Sequence, residues 1–103
     1  MKTLVVLFNL KSACTPEDYE RWAASVDIPT VERLDSCSSF EVLRTVGTLG
    51  AGKAPYDYVE LIKINDFEAF QGDLSRDDLQ QVAAQFQAFA DNPVFMLAEG
   101  LQG

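Results

Sequence analysis

Apolar and polar residues alternate along this chain with two periods, and the switches between them mark its elements. Thr3 to Asn9 reads as a strand that is apolar on both sides, with Leu4, Val6 and Phe8 on one face and Val5 and Leu7 on the other. Such a strand is central and covered twice. Thr15-Pro16-Glu17-Asp18 opens a helix, with Thr15 as N-cap, Pro16 at the first helical position and acids in the first turn. Tyr19, Trp22, Ala23 and Val26 follow at i, i+3, i+4 and i+7, one apolar stripe opposite Glu17, Glu20 and Arg21. Asp27-Ile28-Pro29-Thr30 is expected to break the helix, because the residue before a proline is pushed out of the α region. Thr30 to Leu34 has room for one more short helical turn.

Period two returns in Ser38 to Val46 and in Tyr56 to Ile64. Phe40, Val42, Arg44 and Val46 share a face of the first, and Tyr56, Tyr58, Glu60, Ile62 and Ile64 share a face of the second. Gly47 to Pro55 joins them as a loop, given its three glycines and its proline. Ser75-Arg76-Asp77-Asp78 resembles a capping box with Asp in place of Glu. Leu79, Val82, Ala83, Phe86 and Ala90 then form the stripe of a second long helix, which Asp91-Asn92-Pro93 ends before a last strand, Val94 to Glu99. The order β-α-β-β-α-β predicts an α+β, ferredoxin-like single domain over residues 1–103, with two crossover helices on one face of a four-stranded antiparallel sheet. That arrangement leaves one apolar face of the first strand bare, at about 25 cal/mol per Å². A second copy packed sheet to sheet removes the cost, so the expected state is a homodimer.

Composition narrows the chemistry. The 103 residues include 8 Lys plus Arg, 16 Asp plus Glu and no His, for a net charge of −8. The absence of histidine removes His-based triads, the usual zinc sites and proximal-His haem ligation, and no metal site is expected. The acidic balance argues against nucleic acid or an anionic membrane as partner. Leu4 to Phe8 is too short for a signal sequence or a membrane span. Cys14 and Cys37 have no metal-ligand spacing, and free thiols in a cytoplasmic protein are favoured over a disulfide.

Several segments carry a resemblance to a known family. They are Trp22 to Thr30 (W-x4-D-x-P-T), Ser39 to Arg44 (S-F-E-V-L-R), Tyr56 to Glu60 (Y-D-Y-V-E) and Gln85 to Phe95. With these the chain resembles the RedY/HapK-like proteins of the dimeric α+β barrel superfamily, which are associated with prodigiosin-type and related secondary-metabolite pathways. The resemblance covers nearly the whole chain. It implies a dimeric barrel and a cofactor-free role on a small pathway intermediate. Other barrel families of this superfamily commonly use a histidine, which this chain lacks, so their chemistry does not carry over.

Glu60 is the most informative polar residue, a carboxyl in mid-strand between Val59 and Leu61. Desolvation raises the pKa of such a group and suits it to general acid or base work. Pairing with Arg44 on the neighbouring strand is the alternative, and Arg44 is either a holder of a ligand oxyanion or the neutraliser of Glu60. Asp27 is either a helix cap or an acid–base carboxyl at a pocket mouth beside Trp22. Tyr19 and Trp22 are core residues or the aromatic wall of a pocket suited to pyrrole, indole or polyketide rings. Asn9 is a strand end or an amide donor to that pocket, and Tyr58 offers a phenol on the Glu60 face. Two functions follow. One is an acid–base enzyme binding an aromatic or hydrophobic metabolite for cyclisation, condensation or dehydration; the other is a non-catalytic carrier that shields an intermediate or docks on a pathway enzyme.

Overall fold

The computed structural model describes residues 1–102. Strand β1 (Lys2–Leu10) leads to helix α1 (Pro16–Trp22), a π-helical turn (Ala23–Asp27) and helix α2 (Ile28–Glu32). Strands β2 (Cys37–Arg44) and β3 (Tyr58–Ile64) follow, then helices α3 (Phe67–Asp73) and α4 (Asp77–Phe89), and strand β4 (Ala90–Glu99). The sheet has the order β2-β3-β1-β4 with every neighbouring pair antiparallel. This is the ferredoxin-like α+β arrangement that the hydrophobic pattern predicts.

Register settles which side chains share a face. Leu4 lies opposite Ile62, Val6 opposite Glu60 and Phe8 opposite Tyr58, and this face is packed under the helices. Val6, Phe8, Tyr58, Ile62 and Ile64 are buried there, against Leu79, Val82 and Phe86 of α4. The other face carries Val5 opposite Leu61 and Met96, and Leu7 opposite Val59 and Val94. Among the described residues no helix covers it, and Leu43, Val94 and Met96 are exposed.

The hairpin strands are shorter than expected at their loop ends, β2 stopping at Arg44 and β3 starting at Tyr58, and four larger differences from the sequence reading stand out. The first helix does not break at Asp27-Ile28-Pro29-Thr30, for the chain stays helical to Glu32 by widening into a π turn. Pro29 has no N–H for the Ser25 carbonyl and its ring crowds that turn; the wider loop, closed by the Ile28 N–H on the Ala23 carbonyl, relieves the conflict. Strand β4 begins at Ala90, directly after α4, and not at Val94. Asn92 there takes a left-handed φ of 48°, and the β1–β4 register shifts beside it, so the bulge absorbs the turn expected of Asp91-Asn92-Pro93. Ser75 does not cap α4, whose N-cap is Arg76 without a side-chain cap bond. Helix α3 was not expected, although Asp66 caps it through the Ala69 N–H at 3.0 Å.

Candidate active site

Alternation along β3 turns Tyr58, Glu60, Ile62 and Ile64 toward the helices, so Glu60 is an acid in an apolar layer and only 5% exposed. Its Oε2 accepts a hydrogen bond from the Tyr19 hydroxyl at 3.0 Å. Tyr19 is held in turn by the rings of Phe8 and Tyr58, with centroids at 5.3 and 4.7 Å.

Asp27 reaches the same layer by a different route. Tyr19, Ala23, Asp27 and Val31 form a buried row four residues apart. An unbroken α-helix turns about 100° per residue, so each such step drifts about 40° and three would swing Val31 about 120° away from Tyr19. The π turn winds less per residue and cancels part of that drift, which keeps Asp27 on the core side. Its carboxyl does not cap α2. Asp27 and Glu60 line one cavity of about 140 Å³ between the sheet and α4, walled by Val6, Ile62, Val82, Phe86 and Phe95. An apolar cavity of about 150 Å³ admits one benzene ring.

Electrostatics follow from this enclosure. Burial raises Glu60, the Asp27 charge adds to it and the Tyr19 hydrogen bond opposes it, leaving the carboxyl pushed up to about 8. Burial raises Asp27 to about 7. Carboxyls this close titrate as a pair. Burial thus moves the titration of both carboxyls up toward neutral pH, the range in which a carboxyl can serve as general acid or base. Burial and then the Glu60 charge raise the Tyr19 phenol far above its usual range, so it remains a donor.

A family model described as REDY-like protein HapK matches residues 2–101. The chain belongs to the REDY-like HapK family. Its sheet and helices superpose on HapK from Hahella chejuensis with a TM-score of 0.80 at 28% identity, covering 100% of this chain and 95% of that one. SnoaB from Streptomyces nogalater, a cofactor-independent oxygenase, superposes with a TM-score of 0.79 at 19% identity over 99% and 94% of the two chains. A hydroxynitrile lyase from Passiflora edulis does so with 0.78 at 10% identity over 94% and 90%. At these last two identities the likeness is one of fold. No curated protein matches the chain in sequence.

Within this HapK-family chain the other candidate residues lie apart from the cavity. Arg44 is opposite Tyr58, not Glu60, and the expected Arg44–Glu60 pair is replaced by an ion pair of Arg44 with Glu20, Nε to Oε2 at 2.8 Å. The Tyr58 hydroxyl also donates to Glu20, at 2.6 Å. Hydrogen bonds from Arg44 and then Tyr58 hold the Glu20 carboxyl down at about 2, so it stays ionised. Surface clefts of about 390 Å³ flank this trio. Trp22 does not wall the cavity: its indole N–H donates to Gln85 at 2.7 Å and its ring packs on Phe89. Asn9 tethers the β2–β3 loop, accepting from the Asp57 N–H at 3.0 Å and donating to the Pro55 carbonyl.

The sequence reading missed Glu20, which looked like a solvated helix face, and the walls from Phe70, Leu74 and Phe95. Phe67 and Phe70 at i, i+3 after Asp66 were a readable helix signal.

Proposed function

We propose that this chain is a cofactor-independent acid–base enzyme of secondary metabolism. It binds one ring of an aromatic or hydrophobic intermediate and promotes a cyclisation, condensation or dehydration. The observation that carries the reading is a pair of buried carboxyls, Asp27 and Glu60, facing one ring-sized apolar cavity. One carboxyl gives a proton to the departing or accepting atom while the other takes one from carbon or nitrogen. Tyr19 positions Glu60 through its hydroxyl. Membership of the HapK family supports a role on a pathway intermediate, and SnoaB is an example of this fold working without a cofactor.

The active form in this proposal is a homodimer of single-domain protomers. Support comes from the bare apolar sheet face around Val5, Leu7, Val94 and Met96, which a second copy would bury. The unbonded thiols of Cys14 and Cys37 suit the cytoplasm, and no helix among the described residues is long and apolar enough to cross a membrane.

A carrier that merely shelters the ring would use the same apolar walls and is the second reading. Replacing the chromosomal copy in the producing organism with Glu60→Gln or Asp27→Asn separates the two. Accumulation of an unconverted intermediate with folded variant protein supports catalysis. Wild-type product from both variants refutes it.

A further inference from the structure

The side chains facing the cavity are apolar except for Asp27, Glu60 and Gln87, and no Lys or Arg lines it among the described residues. Glu60 has Tyr19 as a donor. Asp27 is 4% exposed, its charge is felt by Glu60, and its carboxyl accepts no hydrogen bond from a protein donor among the described residues. Every fully enclosed polar side-chain atom among the described residues has a hydrogen-bond partner, so the Asp27 oxygens border the cavity space and not protein. A carboxyl that opens onto an apolar cavity without a protein donor leaves its acceptor sites free for a donor brought by the ligand.

We propose that the cavity takes a one-ring nitrogen compound, a basic heterocycle or cyclic imine, whose nitrogen meets Asp27 and is protonated by the Asp27–Glu60 pair. This rests on the acid–base reading of that pair and names its substrate class. In the step, the carboxyl O–H bond breaks and an N–H bond forms on the nitrogen lone pair, leaving a carboxylate beside a ring cation. No oxidant or co-reactant is required. The cavity of about 140 Å³ has room for one ring, and the exposed Leu74 and Phe95 at its rim leave the rest of a larger ligand free to extend outward. A carboxylate or phosphate ligand would bring negative charge to a site that already holds it and has no cation to answer it. Positive charge developing on a ring nitrogen is stabilised there, and the site thereby favours reactions that pass through an iminium-type cation.

The test uses the full chain and three probes of similar size: 2-aminopyridine, toluene and benzoate. Calorimetry is expected to show 2-aminopyridine binding at least about tenfold tighter than toluene, with benzoate excluded, as an ion-paired hydrogen bond implies. At a pH where the free base is neutral, the bound 2-aminopyridine should show the ultraviolet spectrum of its protonated form. Asp27→Asn should weaken 2-aminopyridine roughly ten- to hundredfold and leave toluene within about twofold. Equal binding of 2-aminopyridine and toluene, tight benzoate binding, or a neutral bound spectrum overturns the proposal. The spectrum is read on the unmodified protein, so a variant that fails to fold does not protect the idea. If the carboxyl variants abolish conversion in the producing organism while the bound probe stays neutral, the acid–base reading stands and this substrate class falls.

Discussion

Glu60→Gln keeps the size of the buried side chain and an acceptor for the Tyr19 hydroxyl, while removing the proton that titrates. In the folded protein the Glu60 carboxyl rises from 4.5 to about 8, through burial first and the Asp27 charge second. Between those values the folded state holds more protons than the unfolded chain, so stability falls as pH rises. The stabilising contribution is full below about 4.5 and is lost as pH passes through about 8. A tenfold difference in proton affinity is worth about 1.4 kcal/mol, which sets a ceiling on the order of 5 kcal/mol for this one group. Asp27 acts in the same direction, from 3.8 to about 7. The two share their mutual repulsion, so the sum of separate figures overstates the effect. Set against a typical stability of about 5–15 kcal/mol, the loss is large. Urea unfolding at pH 5, 7 and 9 reads it directly. Wild-type protein should lose several kcal/mol from pH 5 to 9, and Glu60→Gln should lose clearly less and be the more stable protein at pH 9. Parallel pH profiles for the two would refute the claim that Glu60 is held protonated by its site.

Three further outcomes are expected. Tyr19→Phe keeps the ring among Phe8, Tyr58 and Phe89 but removes the donor to Glu60; it should cost about 1–3 kcal/mol in urea unfolding and raise the Glu60 titration further. Arg44→Ala removes an exposed guanidinium that meets Glu20 and Tyr58 and should leave the midpoints of Asp27 and Glu60 where they are; a clear movement of either would mean that Arg44 reaches the cavity after all. Met96→Glu puts a charge on the bare sheet face without touching the helix-covered core. Sedimentation should then show monomer in place of dimer with unchanged circular dichroism, and a variant that stays dimeric would move the interface elsewhere.

The order of elements and the two-sided apolarity of β1 were legible in the sequence because alternation and helical stripes report local geometry, whereas the face that the helices cover was not, since both faces of β1 are apolar. Glu60 stood out for the same reason, as a lone acid at an inward position of an otherwise apolar strand. Asp27 was legible only by half. Its residue type suggested chemistry, but Pro29 argued for a break, and the π turn that carries Asp27 inward has no periodic signature. The Arg44–Glu60 pairing failed on register. The hairpin sets Val42 opposite Glu60 and Arg44 opposite Tyr58, and register depends on a loop that alternation does not read. The cavity walls were hidden because Phe70, Phe86 and Phe95 meet only after three separate elements dock.

Carbon-13 NMR titration of the side-chain carboxyls tests the central claim most directly. The account predicts that two carboxyl resonances, assigned to Asp27 and Glu60 by Asp27→Asn and Glu60→Gln, titrate at or above neutrality as a pair, each shifting when the other is replaced. Both carboxyls titrating in the ordinary range of about 3.5–4.5 would contradict it.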